Sequence, residues 1–414
     1  MRRLIPAVLL LASCSTNAEH ADAAATPVTR TDSTATRVAS AAPVSPAGKT
    51  TPTPTKQQPP RRAKTATVSG GQVDPLPSPV VRALYVNRWV AQSRKRMQKL
   101  VAIADSTEIN ALVIDMKDEF GLNYKTANLD FAKNAGMSNK VMNLAALLDT
   151  LKAHDILPIA RLVVFKDSVT ARVHPDWTIR RTDNSVWRDK HGLAWVNPYH
   201  HELWEYNIGV AEELVKLGFK EIQFDYIRFP EPYPSLPKQV FPDANGMSKP
   251  DALAGYLKNA KERLNKLGVR STADIFGLVT TVGGPLEVGQ HWEKISPHVD
   301  VVLPMVYPSH YHKGDFGIPY PNAEPYKVIL TAIARARERD KKLGISSAEH
   351  VRPWLQAFSL GKMKPAYGAE HIEAQKKAVY DAGYDGWVLW SPGSAYDIFL
   401  PALEKKLTSR KKTD

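Results

Sequence analysis

Short apolar segments alternate with amphipathic ones from residue 80 to residue 403, and this alternation predicts the fold. Eight apolar runs have the length and composition of buried strands: 80–86, 111–117, 157–164, 221–227, 271–276, 300–306, 352–358 and 386–390. Helical spacing of apolar residues recurs between them, at 94–104, 141–153, 202–217, 253–267, 323–342 and 371–382. Eight strands joined by crossover helices predict a closed (β/α)8 barrel, the TIM barrel. An open doubly wound sheet is the alternative, but no glycine-rich phosphate loop follows the first run.

Glycine residues stand directly after four of the predicted helices. Gly218, Gly268, Gly344 and Gly383 each follow the end of a helical pattern. A helix commonly ends at a residue with positive φ, which glycine adopts at little cost. These four positions are therefore predicted C-caps.

Residues 1–14 have the pattern of a lipoprotein signal peptide. Arg2 and Arg3 precede a short apolar run that closes with Leu-Ala-Ser-Cys at 11–14, which resembles a bacterial lipobox. Cys14 is the sole cysteine, which excludes an intrachain disulfide and a thiolate metal cluster. We expect export and lipidation at Cys14, with sorting to the outer membrane in a Gram-negative cell. An ordinary signal peptide with a chance cysteine is the alternative.

Polar segments flank the predicted barrel on both sides. Segment 15–79 is rich in Ala, Thr, Ser and Pro, a composition that cannot bury enough apolar surface to offset the entropy of ordering. We expect a disordered linker at 15–79, a barrel domain at 80–403 and a basic tail at 404–414. The net charge of the chain is +13, but residues 80–403 hold 41 basic and 36 acidic residues. So small an excess argues against a nucleic-acid-binding domain.

Polar and aromatic side chains collect where the predicted strands end. In a (β/α)8 barrel the carboxyl ends of the strands form the active-site face. The residues placed there, in chain order, are Tyr85, Trp89, Asp115, Lys117, Arg161, Asp225, Tyr226, Arg228, Asp274, Tyr307, Gln356 and Trp390. A polar network that only supports the barrel would account for two or three of them, but not for so many at one end.

Strand periodicity predicts which side chains face the barrel mouth, the opening at the carboxyl ends. Successive side chains of a strand point to opposite faces. Asp115 and Lys117 therefore share one face, and Gln223 and Asp225 share another. If the aliphatic faces pack against the helices, these polar residues project into the mouth. A simple ion pair between Asp115 and Lys117 is the structural alternative.

Neighbouring carboxylates beside aromatic rings predict chemistry on a sugar. Asp225 and Asp274 end adjacent strands, which lie about 4.8 Å apart. Hydrolysis of a glycosidic bond takes two carboxyl groups, one as proton donor and one as nucleophile or base. Aromatic rings suit the flat apolar faces of sugars. Asp225, Asp274 and Asp115 are thus candidate catalytic residues, and the other nine residues of that face are candidate substrate-binding residues.

No metal site, cofactor or nucleophilic serine is predicted. The His-His-Glu segment at 200–202 lacks the spacing that places two imidazoles on one helix face, and His310 and His312 fall in a predicted loop. No nucleophile-elbow pattern surrounds Ser309 or Ser391. A metal-dependent polysaccharide deacetylase is a minor alternative.

Four strand-end motifs carry a resemblance to a known family. They are VIDMKD at 113–118, IQFDYIRFP at 222–230, ADIFG at 273–277 and LPMVYP at 303–308. Together they resemble the bacterial glycoside hydrolase domain family, a TIM-barrel family distantly similar to the α-amylase-like hydrolases. The resemblance covers about residues 80–403 and implies a polysaccharide-acting hydrolase with Asp225 at the nucleophile-like position.

The motifs depart from the α-amylase pattern at three places. That pattern has Arg two residues before the strand-four Asp, Glu on strand five and a His–Asp pair near strand seven, where this chain has Gln223, Asp274 and Gln356. An amylase mechanism is therefore not carried over. We expect an envelope-anchored hydrolase of a cell-wall or extracellular polysaccharide, held at the membrane by its lipid. A non-catalytic glycan-binding lipoprotein is the alternative, and the sequence does not predict the sugar or the oligomeric state.

Overall fold

Eight parallel strands form a closed barrel in this computed structural model, which describes residues 80–136 and 140–405. The strands are β1 (Arg82–Val86), β2 (Ala111–Asp118), β3 (Gly121–Leu122), β4 (Leu157–Val163), β5 (Glu221–Asp225), β6 (Arg270–Phe276), β7 (Val301–Met305), β8 (Trp354–Gln356) and β9 (Trp387–Trp390). Strand β1 pairs with both β2 and β9, which closes the sheet. Strand β3 is antiparallel to the end of β2 and stands outside the eight. The predicted (β/α)8 fold is confirmed, and each predicted run contains a strand.

Helices follow the strands and surround the barrel. They are α1 (Arg88–Ala91), α2 (Arg94–Ser106), α3 (Leu129–Lys133), α4 (Leu144–Ala153), α5 (Ser168–Val173), α6 (His201–Leu217), α7 (Lys249–Lys266), α8 (Trp292–Ile295), α9 (Pro325–Lys342) and α10 (Ala369–Asp381). The six predicted helices are confirmed with small shifts at their ends. Gly218, Gly268, Gly344 and Gly383 all have positive φ, between 71° and 124°, as expected of helix ends.

The barrel has two apolar layers because its strands are buried on both faces. Residues such as Leu84, Ile114 and Phe224 belong to the layer between the strands and the helices. Their neighbours Val113 and Ile159 belong to the layer inside the barrel. This arrangement explains why the strand runs are nearly continuous in apolar residues, and why a polar residue inside the barrel requires a partner.

A three-residue charge cluster fills the amino end of the barrel, which we call the floor. Glu221, at the start of β5, is fully buried. Its Oε1 lies 2.6 Å from Nη1 of Arg352, and its Oε2 lies 2.7 Å from Nη2 of Arg270. The floor therefore pairs one buried carboxylate with two arginines.

Several sequence predictions fall outside the described residues. These are the signal peptide at 1–14 with Cys14, the linker at 15–79 and the tail beyond residue 405. Among the helices of residues 80–136 and 140–405, none has the length and apolar character needed to cross a membrane.

Candidate active site

One arginine contacts three aspartates at the barrel mouth. Arg161 extends from β4, and its Nη1 donates to Oδ1 of Asp115 of β2 at 2.5 Å. Its Nε donates to Oδ2 of Asp225, the last residue of β5, at 3.1 Å. Asp274 of β6 lies on the same guanidinium, with Oδ2 3.7 Å from Nε. The three candidate catalytic aspartates, from β2, β5 and β6, thus contact one cation. The sequence also predicts this cation, Arg161, at the same face.

The cluster holds more negative than positive charge when all its carboxyl groups are ionised. Burial disfavours the charged guanidinium, but the carboxylates of Asp115 and Asp225 outweigh burial and raise the pKa of Arg161 well above its usual value. Burial also raises the pKa of Asp115. Burial and then the charge of Asp225 raise the pKa of Asp274 well above its usual range. Proton uptake by Asp274 therefore relieves part of the charge imbalance.

Asp274 is the most deeply buried of the three aspartates. Its side chain accepts hydrogen bonds at Oδ1 from Nε2 of Gln223 at 2.8 Å and from Nε1 of Trp354 at 2.7 Å. Its Oδ2 receives no hydrogen bond from any described residue. Gln223, which departs from the α-amylase pattern, thus has a defined contact here: it orients the neighbouring carboxyl group.

Asp225 ends β5 at a backbone turn that holds its side chain in place. The next residue, Tyr226, has φ of +52°, a conformation that is uncommon for an aromatic residue and is often found at functional sites. The turn directs the Tyr226 N–H at Oδ1 of Asp225, at 2.5 Å. Oδ2 is held by Arg161. Both oxygens of Asp225 are therefore held in place by hydrogen-bond donors.

The shared contact with Arg161 sets an upper limit on the separation of the Asp225 and Asp274 carboxyl groups. Their Oδ2 atoms lie 3.1 Å and 3.7 Å from the same Nε of Arg161, so the two distances together limit the separation of these oxygens to at most 6.8 Å. Carboxyl groups lie about 5–5.5 Å apart in retaining glycosidases and about 6.5–9.5 Å apart in inverting ones. The limit includes the retaining range and the lower edge of the inverting range.

Aromatic residues form one wall of the mouth. The Tyr85 hydroxyl donates to Oδ2 of Asp115 at 2.5 Å. The Tyr85 ring stacks on Trp390, with centroids 3.9 Å apart, and Trp354 packs edge-on against both. Tyr307 is buried in the same inner layer of the barrel. Tyr85, Tyr307 and Trp390 thus lie where the sequence predicted them.

A cleft opens next to Asp225, between the segment after β4 and the segment after β5. Its cavity volume is about 20 Å³, which is room for a group about the size of a water molecule. It is lined by Lys166, Trp187, Asp189, Lys190, His191, Trp195, Tyr226, Arg228, Glu231, Tyr233 and Leu236. Two predicted substrate-binding residues, Tyr226 and Arg228, are therefore part of the cleft.

One predicted binding residue lies elsewhere than expected, and a second ends its strand as predicted but is held in structural contacts. Lys117 does not share the face of Asp115, because the pairing of β2 with β4 shifts register between these residues. The expectation that Lys117 faces the mouth is wrong: it is fully buried, with Nζ 2.8 Å from Oδ2 of Asp167 and 5.7 Å from the ring of Tyr206 in the helical layer. Gln356 is also fully buried, and its Oε1 accepts the backbone N–H of Ser309 at 3.0 Å.

Trp89 lies at the rim of the mouth and is 52% exposed. The Arg88 guanidinium lies 4.7 Å from the centroid of the Trp89 ring and 4.9 Å from that of Phe120, a second exposed ring. An ion pair of 3.0 Å with Asp118 anchors Arg88. Burial and then the charge of Glu119 raise the pKa of Asp118 to about 7.

Glu119 is a candidate that the sequence patterns did not indicate. Asp118 pairs with Gly121, so Glu119 and Phe120 form the turn of a hairpin at the end of β2. The Ser168 N–H and hydroxyl donate to the Glu119 carbonyl, at 3.1 and 2.7 Å. After burial, the largest cause, the charge of Glu119 contributes to the raised pKa of Asp115. Glu119 is half-buried, and the signal that would have identified it is the hairpin turn, with Gly121 in positive φ directly after it.

The aspartates of the mouth are arranged around a guanidinium and not as a ligand set for a metal ion. All three converge on Arg161. In the described ranges, no three His, Cys, Asp or Glu side chains are grouped in a way that could hold a metal ion.

A closed eight-stranded parallel barrel with carboxyl groups and aromatic rings at its mouth defines a TIM-barrel protein with an enzyme-type site. The chain belongs to the family described as "Putative glycosyl hydrolase domain", whose model matches residues 83–396. The expected family is thereby confirmed. No curated protein matches the chain.

Several solved structures are similar to this chain, and the first of the following three shows the same fold. The PgaB (BpsB) glycoside hydrolase domain from Bordetella bronchiseptica is 13% identical, with 80% of this chain and 100% of that chain covered and a TM-score of 0.57. A hypothetical protein from Ruminiclostridium thermocellum is 36% identical over 46% of this chain and 96% of its own, with a TM-score of 0.42. The spore cortex-lytic enzyme SleL from Bacillus cereus is 11% identical, over 78% and 73%, with a TM-score of 0.46.

Proposed function

We propose that this protein is a glycoside hydrolase that cleaves a cell-wall or extracellular polysaccharide with a pair of carboxyl groups. The observation that carries the proposal is the setting of Asp225, which is fixed by Arg161 and by the Tyr226 N–H at the barrel mouth. Family membership supports the reaction class. The stacked rings of Tyr85 and Trp390 beside the carboxylates support a sugar as the substrate.

In the proposed mechanism Asp225 is the ionised group that faces the anomeric carbon, as nucleophile or as base for water. Its two oxygens accept hydrogen bonds that stabilise the carboxylate. Positive charge develops on the sugar ring in the transition state. The carboxyl groups around Arg161 outnumber it three to one, and each one that is ionised beyond the charge that Arg161 neutralises stabilises the transition state.

A second carboxyl group must protonate the leaving oxygen, and we assign this role to Glu119. Asp115 and Asp274 are only 4% and 1% exposed, whereas Glu119 is half-buried on the hairpin turn and is therefore more accessible to a sugar. In this assignment Asp115 and Asp274 do not transfer a proton to the substrate. Through Arg161 they contribute to the net charge around Asp225. Glu119 releases its proton to the glycosidic oxygen, and the electrons of the broken C–O bond remain on that oxygen.

The test is the release of reducing ends by the purified full-length chain from a panel of bacterial cell-wall and extracellular polysaccharides. Asp225→Asn is expected to lower turnover about a thousandfold or more, since it removes the attacking charge. Glu119→Gln is expected to lower it about a hundredfold or more on substrates with poor leaving groups, and much less on dinitrophenyl glycosides, which need no acid.

Asp105→Asn is the matched control, because Asp105 is a surface residue paired with His154 on the outside of the barrel. Turnover of Asp225→Asn equal to that of the native chain would contradict the catalytic assignment. Tight binding of a polysaccharide by the native chain, with no release of reducing ends, would favour the glycan-binding alternative instead.

We also propose that the protein is held at the cell envelope through a lipid on Cys14. The support is the lipobox-like pattern at 11–14, in which the sole cysteine stands at the required position. The native chain is expected in the detergent-soluble membrane fraction, and Cys14→Ala is expected to leave that fraction. A mass spectrum of the mature amino terminus without added lipid would disprove this proposal.

A further inference from the structure

We propose that the polysaccharide crosses the barrel mouth from the rim after β2 to the rim after β7, with sugars bound on both sides of the cleaved bond, so that cleavage occurs within chains and not from their ends. This inference rests on the proposed hydrolase function and specifies its mode of action. Exposed aromatic rings on both rims carry it. We call them the Phe120 platform, formed by Trp89 and Phe120, and the Tyr320 platform, formed by Tyr320.

The two platforms lie across the barrel from each other. The parallel strands follow one another around the closed sheet in the order β1, β2, β4, β5, β6, β7, β8 and β9, so β7 is the fourth strand from β2 in either direction. Phe120 lies in the connection after β2 and Tyr320 in that after β7, and such connections form the mouth face. Eight strands spaced about 4.8 Å apart and tilted by about 36° make a barrel roughly 15 Å wide, which is more than the length of one sugar ring.

The carboxyl cluster lies on the path between the two platforms. Arg161, Asp225 and Asp274 come from β4, β5 and β6, the three strands between β2 and β7 on one side of the barrel. A sugar chain that runs from one platform to the other therefore passes Asp225 and extends from it in both directions. The cleft beside Asp225 has room only for a group about the size of a water molecule, so it cannot receive the terminal sugar of a chain.

Arg88 holds the two rings of the Phe120 platform in place. Its guanidinium carbon lies 4.7 Å from the ring centroid of Trp89 and 4.9 Å from that of Phe120, so the two centroids are at most 9.6 Å apart. Asp118 fixes Arg88 through the 3.0 Å ion pair and also accepts the Phe120 N–H at 2.8 Å. Trp89 and Phe120 are nevertheless 52% and 40% exposed. Rings that are already fixed lose little entropy when a flat sugar face packs against them.

The Tyr320 platform is also presented by an anchored segment of backbone. Tyr320 is 66% exposed, but the next two residues, Pro321 and Asn322, are buried. Nδ2 of Asn322 donates to the carbonyl of Pro365, in the loop after β8, at 3.1 Å. Nζ of Lys313 lies 5.4 Å from the centroid of the Tyr320 ring. The ring is therefore open to solvent on a fixed backbone, and its hydroxyl is available to the hydroxyl groups of a sugar.

The combination of features distinguishes these platforms from ordinary surface residues. A single exposed ring needs no functional explanation. Here each rim has an exposed ring, a cation against it and an anchored backbone, and the proposed catalytic carboxylate lies between the two rims. One polysaccharide chain bound along this path accounts for both platforms.

The first test follows the products that the full-length native chain releases from the soluble polysaccharide of the panel on which its turnover is highest. Size-exclusion chromatography measures the mean chain length of the polysaccharide, and mono- and disaccharides are quantified in the same samples. The mean chain length is expected to fall before any mono- or disaccharide is detected, because each internal cleavage divides a long chain into two shorter ones.

The second test maps the cleaved bond with variants of the two platforms. Oligosaccharides of that polysaccharide, labelled at the reducing end, report the cleaved bond through the length of the labelled product. Phe120→Ala and Tyr320→Ala each remove a contact on one side of the cleaved bond. They are expected to change the ratio of the two main labelled products roughly two- to tenfold, as for the loss of one ring–sugar contact, and in opposite directions. Phe120→Tyr keeps a ring and should give the native ratio, as should the control Leu267→Ala, an exposed residue directly after α7.

The outcomes separate the crossing path from the hydrolase function. Release of mono- or disaccharides from the start, with the mean chain length nearly unchanged, overturns the crossing path and leaves the hydrolase standing. Product ratios that stay native in both variants, or that shift in the same direction, have the same consequence. Turnover of no polysaccharide overturns both. The first test uses the native chain, so the crossing path can be rejected even if a variant fails to fold.

Discussion

The two ends of the barrel each contain a buried charge cluster, and the ratio of anions to cations is opposite in the two. At the floor, one carboxylate, Glu221, is paired with two arginines, and all three are nearly inaccessible to solvent. At the mouth, one arginine, Arg161, is surrounded by three carboxyl groups. The floor has two cations for its single anion, whereas the mouth has three carboxyl groups for its single cation, an anionic excess that protons or a positively charged transition state can neutralise.

This difference separates a structural cluster from a functional one. A buried charge without a partner costs several kcal/mol, so a fold retains it only where it serves a function. In the floor, each oxygen of Glu221 contacts an arginine. In the mouth, Oδ2 of Asp274 accepts no hydrogen bond from the described residues, and the pKa of Asp274 is raised by burial and by Asp225. The two clusters are therefore predicted to respond differently when a charge is removed.

The largest expected effect is at the floor, with Glu221→Gln. This change removes the carboxylate that ion-pairs with both Arg270 and Arg352, and removal of one partner of a buried ion pair typically costs about 3–5 kcal/mol. Urea denaturation is expected to show a loss of that size. Turnover per folded molecule should stay near the native value, because the floor lies at the opposite end from the mouth.

Glu202→Gln is the matched control for that experiment, since Glu202 is an exposed acidic residue at the start of α6. It should leave the unfolding free energy within about 0.5 kcal/mol of the native value. A loss for Glu221→Gln as small as that of the control would show that the ion pairs of the floor do not stabilise the fold.

The second expected effect has the opposite sign, with Asp274→Asn at the mouth. The folded chain retains a proton on Asp274 that the unfolded chain releases near pH 4, so the stability of the native chain falls as pH rises from about 4 towards the raised pKa. In Asp274→Asn the side-chain oxygen can still accept the hydrogen bonds from Gln223 and Trp354. The amide nitrogen takes the place of Oδ2, which accepts no hydrogen bond from the described residues.

Above pH 7, Asp274→Asn is therefore expected to be more stable than the native chain, because asparagine carries no charge that burial penalises. Its unfolding free energy should also vary less between pH 5 and pH 8. Urea denaturation of the native chain and of Asp274→Asn, at pH 5 and at pH 8, measures these unfolding free energies. The prediction would be contradicted if the native chain became more stable between pH 5 and pH 8 and the unfolding free energy of Asp274→Asn changed with pH by the same amount.

The charge clusters also show what the sequence could predict. Asp225 and Asp274 were identified because each lies at the end of a regular strand, where period-two alternation holds and adjacent strands stay in register. Lys117 was misplaced because alternation fails across the register shift after Asp115. No local pattern in β2 marks that shift, since it depends on pairing with β4.

Glu119 and Lys166 show a second limit of sequence reasoning. Both lie in connections after strands, where side-chain direction depends on turn geometry and not on a repeating period. Their proximity to Asp115 and Tyr226 follows from the assembled barrel. The fold was predictable because eight apolar runs and their helices repeat one pattern, whereas the partners within the site come from contacts between distant segments.

The smallest expected effect is at the rim of the mouth, with Trp89→Ala. Trp89 contributes little to the core, because half of its surface is exposed, and the unfolding free energy should change by no more than about 0.5 kcal/mol. A ring that stacks on a sugar contributes about 0.5–1.5 kcal/mol, which corresponds to a roughly two- to tenfold higher KM for a long polysaccharide. Short dinitrophenyl glycosides, which do not reach the rim, should keep their native KM. Ile398→Ala, an exposed apolar residue on another segment, serves as the control. If KM were unchanged for both substrate lengths, Trp89 would not contact the substrate, and recognition would occur only at the other residues of the mouth and its rim.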